Sequence, residues 1–294
     1  MPIILEVLKR NRKSKNKMEL YEKKVLISGA TDGIGKETAL MFAKVGATVL
    51  IHGRNPNKIA DTLAALREAN PNGKYYSYQA DYASLADVRA MAEAIKNEHQ
   101  HIDILINNAG LYPDERVITK DGFELTLQVN YLSSFLLTHE IMPLLELSPE
   151  ARIVNISSIG HKFVWNSIKN PKFSPFFWRW VSYCRSKLLV VAWTIELARH
   201  LEAKNITVNS IHPGVIRTKV IRILPVSYGS SVPSGAKTIF DLATNPKYAT
   251  TTGQYFERYK MSKAAPMALN SRLQKNLWRA SHDWAGLVIE SEHE

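Results

Sequence analysis

A single cysteine, Cys184, stands in 294 residues, so no intramolecular disulfide can form and nothing points to an oxidising compartment. A reducing cytoplasm fits best. Metal ligands at useful spacing are also missing: the nine histidines show no ligand pattern, and the one cysteine stands alone. Long apolar runs are absent too. The opening Pro2 to Leu8 stretch is too short to span a bilayer, is interrupted by Glu6, and lacks the charge-then-apolar order of a secretory signal. No repeat of fixed period and no low-complexity tract occurs, which excludes solenoid and fibrous classes. Asn155-Ile156-Ser157 and Asn205-Ile206-Thr207 match a glycosylation acceptor but sit inside apolar runs that read as buried strands, so we discount them.

What is present is an ordinary globular composition, 45% hydrophobic and 22% charged, with enough apolar material for one sizeable core. The net charge of +11 is strong, but part of the excess is concentrated in Lys9 to Lys17. A local basic tail is a weaker signal for nucleic acid than a basic groove, and no nucleic-acid partner is expected. Residues 1–20 read as a solvated basic extension; peripheral contact with an acidic membrane surface through it is the alternative. A homo-oligomer is compatible with the sequence.

From Lys23 onward, short β-branched runs alternate with longer stretches of helical period. The runs are Val25 to Ser28, Thr48 to His52, Tyr75 to Ala80, Ile102 to Ile106, Arg152 to Ser157 and Ile206 to Ile211. Helices are expected over Gly35 to Val45, Asn57 to Glu68, Leu85 to Asn97 and Tyr183 to Leu201. Strands apolar throughout must be covered on both faces, so the expected fold is α/β, a single doubly wound domain over 21–294 with a mostly parallel sheet between helices. The alternation breaks at about 159–182 and 217–246. Both breaks follow strands at their carboxyl ends, the edge where such sheets bind ligands, and are expected to be substrate loops.

Ser28-Gly29-Ala30-Thr31-Asp32-Gly33-Ile34-Gly35 follows the first strand and opens the first helix. A pyrophosphate needs free backbone N–H groups and the positive end of a helix dipole, and only glycine lets the main chain come close while turning sharply. This G-x3-G-x-G spacing resembles the short-chain dehydrogenase/reductase pattern, with Ser28 in place of its threonine. Asn107-Asn108-Ala109-Gly110 after the fourth strand, Tyr183-x3-Lys187 in a helix and Pro213-Gly214 after the sixth strand appear in that family's order. The chain is thus similar to this family from about Lys23 to near its end. The resemblance implies a Rossmann-type fold that binds NAD(P) through Ser28, Gly29, Thr31, Asp32, Gly33, Ile34, Gly35, Asn108, Ala109, Gly110, Pro213 and Gly214, with Asp81 on the adenine side.

Tyr183 and Lys187 lie four apart in an expected helix and share a face. A neighbouring ammonium favours the phenolate and should bring the tyrosine toward working range. By resemblance Tyr183 is the proton-transferring acid or base, and Lys187 also holds the nicotinamide ribose. Ser158 matches the serine that hydrogen-bonds the substrate carbonyl, with Ser157 as the nearby alternative. Asn130 matches the asparagine that holds a relay water. The tetrad implied is Asn130, Ser158, Tyr183 and Lys187, and the reaction is interconversion of a carbonyl and an alcohol. Cys184, beside the tyrosine, reads as a small buried hydrophobe.

Phe163, Trp165, Phe173, Phe176, Phe177, Trp178 and Trp180 crowd the connection between serine and tyrosine. They suit a lipophilic carbonyl or alcohol, and equally the anchoring of a long loop or contact with a partner. Ser158-x2-His161, the residues from Tyr183 to Leu188 and Thr252 to Phe256 resemble the retinol-dehydrogenase-like branch; retinoid, steroid, fatty aldehyde and xenobiotic carbonyl remain open as substrates. The second strand ends at Arg54 without the acidic residue that reads the 2′-hydroxyl of NAD. Arg54 suits a 2′-phosphate, with Lys36 nearby in sequence, so NADP(H) is expected ahead of NAD(H), although Asp32 occupies a place where some phosphate-preferring relatives carry a base. A catalytically idle, cofactor-sensing member of the family is the competing reading.

Overall fold

A computed structural model of the chain describes residues 20–21, 23–164, 178–215 and 229–288. The basic Lys9 to Lys17 segment, the aromatics Trp165, Phe173, Phe176 and Phe177, and Arg217 lie outside the described residues. Among those described, no helix is long and apolar enough to cross a membrane.

The six expected strands all form: β1 (Lys24–Ile27), β2 (Thr48–Gly53), β3 (Tyr75–Gln79), β4 (Ile104–Asn107), β5 (Ala151–Ile156) and β6 (Ile206–His212). Two short strands follow, β7 (Tyr255–Glu257) and β8 (Lys260–Met261). The sheet order is β3-β2-β1-β4-β5-β6-β7-β8, parallel except for the β7–β8 pair.

Side chains along each strand alternate between two apolar faces. Leu26 sits opposite Leu50 and Leu105, Leu105 opposite Ile153, and Ile153 opposite Val208. These point into one core layer, with Val88, Phe135 and Trp193. Val25, Ile27, Val49, Ile51, Ile104, Ile106 and Val154 point into the other, against Phe42, Ile239 and Leu242. Period-two alternation with both faces apolar leaves no solvated side, which is why helices must cover both. Each such side chain, fully buried, contributes about 1.5–3 kcal/mol.

The helices are α1 (Gly33–Lys44), α2 (Pro56–Ala69), α3 (Leu85–Glu98), α4 (Leu125–Leu127), α5 (Ser133–Glu140), α6 (Met142–Glu146), α7 (Arg179–His200), α8 (Val232–Thr244) and α9 (Ser271–Ala285). Side-chain caps set several of their starts: Asp32 accepts from Gly33 N, Asn55 from Lys58 N and Ser84 from Asp87 N. Helix α7 begins four residues before Tyr183, so the tyrosine stands in its second turn.

Besides β7, β8 and the earlier start of α7, three further features depart from the sequence reading. The 217–246 stretch is not all loop, because Val232–Thr244 is a helix packed against α1. Its Pro, Ser and Gly suggested irregular chain, yet Ser231 caps the helix by accepting from Ser234 N and Pro233 lies in its first turn, where proline is tolerated. The 159–182 stretch likewise opens with a 3-10 turn, Ile159–Phe163. Between α4 and α5 the helix widens into a π-turn over Gln128–Leu132, which carries Asn130.

Candidate active site

The sheet order turns at β1: the chain runs outward to β2 and β3, then returns to β4 on the other side. Loops leaving the carboxyl ends of β1 and β4 therefore diverge and open a crevice. The glycine turn and Asn108-Ala109-Gly110 meet there. Ser28 Oγ accepts from Asn108 N and Ala109 N, each at 3.0 Å, and Asn108 Nδ2 donates to the carbonyls of Ser28 and Gly29, each at 3.0 Å. Gly29 has φ 64° and Gly33 φ 53°, left-handed conformations that favour glycine. A Cβ on Gly35 would lie 2.3 Å from the Gly29 carbonyl oxygen and 2.4 Å from Asn108 Nδ2. Gly29 is also confined, with a Cβ 2.8 Å from Ala109 Cα. The result is a bare backbone cradle at the N-terminus of α1, fit for a pyrophosphate.

His52, inside β2, supports this turn. Gly29 N donates to His52 Nδ1 at 3.2 Å, so Nε2 carries the ring proton and donates to Ala80 O at 3.1 Å. Burial pulls the imidazole down to about 4, so it is neutral. At the mouth, Thr31 lies against Gly53, where a Cβ would be 2.4 Å from its methyl. Asp32 Oδ1 accepts from Gly33 N at 2.8 Å while Oδ2 pairs with Lys58 Nζ at 2.8 Å. Arg54 is 71% exposed and stands 3.8 Å from Asp81. Ile34, at the head of α1, packs on the α1 side of the core, and Gly214, with φ 108°, follows Pro213 beyond β6.

The four tetrad positions converge on the same edge. Lys187, 4% exposed, donates from Nζ to Ile156 O at 2.9 Å, and burial pulls its ammonium down to about 8. A Cβ on Gly110 would lie 3.3 Å from Asn130 Oδ1 and 3.5 Å from Lys187 Nζ, so both polar ends face one small space. Asn130 is held there: Oδ1 accepts from Leu111 N at 2.7 Å, and Nδ2 donates to Leu111 O and Ser186 Oγ. The π-turn lets a helical residue bond across to a neighbouring loop in this way.

The two serines separate. Ser157 Oγ donates to Lys187 O at 2.9 Å, whereas Ser158 Oγ hydrogen-bonds Tyr183 and accepts from Gly160 N at 3.1 Å. Burial pushes the Tyr183 phenol up to about 12, with Ser158 drawing it down. The lowering expected from Lys187 is not what sets this phenol: Nζ is 5.8 Å from the ring centroid and is committed to Ile156 O. Tyr183 is flanked by Tyr112, edge-on at 5.4 Å, and by Trp180, stacked at 6.2 Å. Phe163 lies 6.2 Å from Trp180. Cys184 is buried beside them, and burial pushes its thiol up to about 12.

Sequence reasoning missed His52, Lys58, Tyr112 and Ser186. Lys58 is 26 residues from Asp32, and no local pattern links them. Tyr112, two residues beyond the Asn108-Ala109-Gly110 motif, carried a proximity signal that could have been used.

A family model for short chain dehydrogenases matches residues 23–224. The chain belongs to the short-chain dehydrogenase family and is retinol-dehydrogenase-like. Human retinol dehydrogenase 13 is 33% identical to it, over 95% of this chain and 89% of that one. Bovine retinol dehydrogenase 12 is also 33% identical, over 93% and 89%. Among solved structures, an uncharacterised protein from Mycobacterium paratuberculosis superposes with a TM-score of 0.76 at 25% identity, covering 92% of this chain and 95% of that one. The Pseudomonas aeruginosa RhlG/NADP active-site complex gives 0.65 at 26% identity, over 80% and 94%. The protein is an NAD(P)-dependent oxidoreductase that acts on CH–OH groups.

Three buried histidines, His52, His161 and His212, lie at this edge, each pulled by burial from 6.5 to about 4 and so neutral. The unfolded chain therefore binds protons between those values while the folded chain does not. Their contribution to stability is fully present above pH 6.5 and is lost as pH falls toward about 4. Urea midpoints measured on either side of pH 6.5 should fall on the acid side; a flat midpoint would contradict the neutral assignments.

Proposed function

We propose that this chain interconverts a lipophilic aldehyde or ketone and the corresponding alcohol, with NADP(H) preferred over NAD(H) and Tyr183 as the general acid or base. The observation that carries the reading is the convergence of Ser158, Tyr183, Lys187 and Asn130 beside the glycine cradle. When bound, the nicotinamide supplies or accepts the hydride. The pyrophosphate would rest on Gly29, Thr31 and the Gly33–Gly35 helix start, with Ser28 acting indirectly because its hydroxyl already ties β1 to β4. Asp81 would meet the adenine side, and Asn108, Ala109, Gly110, Pro213, Gly214 and Lys187 the nicotinamide side.

In reduction, Tyr183 Oη donates its proton to the carbonyl oxygen, and Ser158 Oγ hydrogen-bonds the same oxygen as charge develops. A phenol raised by burial holds its proton until that moment. The shared space beside Gly110 supports proton resupply through Lys187 and Asn130. Tyr183→Phe should lower turnover by about 10²–10⁴-fold with cofactor affinity retained. Near-wild-type turnover would remove Tyr183 from the role.

The aromatic surface formed by Trp180 and Phe163 beside Tyr183 supports a lipophilic substrate. With each buried methylene contributing about 0.8 kcal/mol, a long-chain aldehyde should exceed a small polar ketone in kcat/KM. Equal values across such a panel would reject this preference.

Arg54 supports NADP(H): it is exposed at the end of β2, and Lys58 offsets the adjacent carboxylate of Asp32, which would otherwise repel a 2′-phosphate. Arg54→Ala should weaken NADPH by about 1.5–3 kcal/mol and leave NADH unchanged. Equal losses for the two cofactors, or a wild type preferring NADH, would overturn the preference.

A further inference from the structure

His161 is completely buried, three residues after Ser158, and both of its ring nitrogens are used. Ala265 N donates to Nε2 at 3.1 Å, so Nε2 is unprotonated and the ring proton lies on Nδ1. Nδ1 is 2.7 Å from Ser158 O and donates to it. The ring also packs at 4.4 Å against Tyr255 of β7. One side chain thus joins the serine turn to two pieces of chain about a hundred residues later, β7 and the segment that follows β8.

We propose that His161 is a positioning residue for Ser158, holding its backbone so that the hydroxyl stays aimed at Tyr183 and the substrate oxygen. The inference rests on the functional reading of Ser158 and Tyr183 given above. Ser158 is extended, with φ −151° and ψ 154°, and caps the 3-10 turn through its hydroxyl. That hydroxyl must accept from Gly160 N and still reach Tyr183, which leaves little freedom for the backbone beneath it. The Ser158 carbonyl accepts from the His161 main-chain N–H at 3.1 Å as well as from the ring. The main-chain bond belongs to the turn itself, whereas the ring bond anchors the turn to Ala265 and therefore to the rest of the fold.

A buried histidine that merely filled the core would need partners for its nitrogens but would have no bearing on Tyr183. The charged and titratable groups facing His161 are Lys162, paired with Glu257, together with His212 and Tyr255. Burial outweighs all of them and keeps the ring neutral, so the strut holds one tautomer across the working range.

The test compares full-length His161→Leu, His161→Asn, Ser158→Ala and the double variants in carbonyl reduction, with NADPH binding followed separately by nicotinamide fluorescence. His161→Leu should lose about 10- to 100-fold in kcat, the scale of a misplaced catalytic group, with NADPH affinity unchanged and KM for the carbonyl little altered. Because Ser158 draws the Tyr183 phenol down, the tyrosine limb of the pH–rate profile should move to higher pH, as in Ser158→Ala. His161→Asn keeps a donor toward Ser158 O and should recover most of the lost rate. Each double variant should be no slower than Ser158→Ala alone, since the histidine acts through the serine. If His161→Leu fails to bind NADPH, His161→Ala and its double with Ser158→Ala carry the same comparison. Additive losses, an unmoved pH limb, or a wild-type rate in His161→Leu would overturn the proposal. A wild-type rate in Ser158→Ala would instead overturn the reading of the serine itself.

Discussion

The site depends first on how closely the backbone at the end of β1 can approach the backbone at the end of β4. Ser28 and Asn108 draw the two turns together through four hydrogen bonds, and the approach is possible only because Gly29 and Gly35 present no side chain where Ala109, Asn108 and the Gly29 carbonyl press in. A methyl group at Gly35 would meet the Gly29 carbonyl as well as the Asn108 amide that bonds to it, so relaxation would have to move the turn itself. His52 reinforces the arrangement from below by accepting the Gly29 N–H, and its burial keeps it neutral enough to do so. The placing of the glycine turn at the start of α1 directly beside the Asn108-Ala109-Gly110 turn follows from this contact.

Helix α7 supplies the second half of the site. Its buried length past Leu188 packs into the core with Trp193, which makes the helix a rigid mount, while its second turn carries Tyr183 and Lys187 to the carboxyl edge. Ser157 Oγ on Lys187 O and Lys187 Nζ on Ile156 O tie this mount to the end of β5 in both directions. The serine, tyrosine and lysine are therefore positioned by one interface, β5 against α7. Asn130 arrives from a different element, through a π-turn that lets it bond to Leu111 and Ser186 together. The neutral lysine and tyrosine forms are both favoured by burial here, which is the expected consequence of setting ionisable groups in a site sheltered from water.

Much of this was legible beforehand. The strands announce themselves because residues such as Val25, Leu26 and Ile27 are apolar on both faces, a pattern that survives only between two helical layers. The glycine turn and Tyr183-x3-Lys187 are legible because each is a short pattern of residues close in sequence. Helix α8 was hidden behind Pro233, Ser234 and Gly235, whose composition reads as loop unless the capping role of Ser231 is seen. Strands β7 and β8 are three and two residues long, below the length at which alternation can be detected.

The parallel sheet and the glycine turn can be read from the chain because each depends on local period or on glycine at a forced backbone position, and Tyr183 and Lys187 share a face because they lie one helical turn apart. Which of the two serines faces Tyr183, and that Lys58 lies against Asp32, His52 braces the cradle and His161 reaches Ala265, emerge only in the assembled fold. Those pairings join residues on different elements, brought together by sheet order and helix packing. The protonation of His52, His161 and Tyr183 was decided at the same level, since burial, which no sequence window reports, outweighs their local charges.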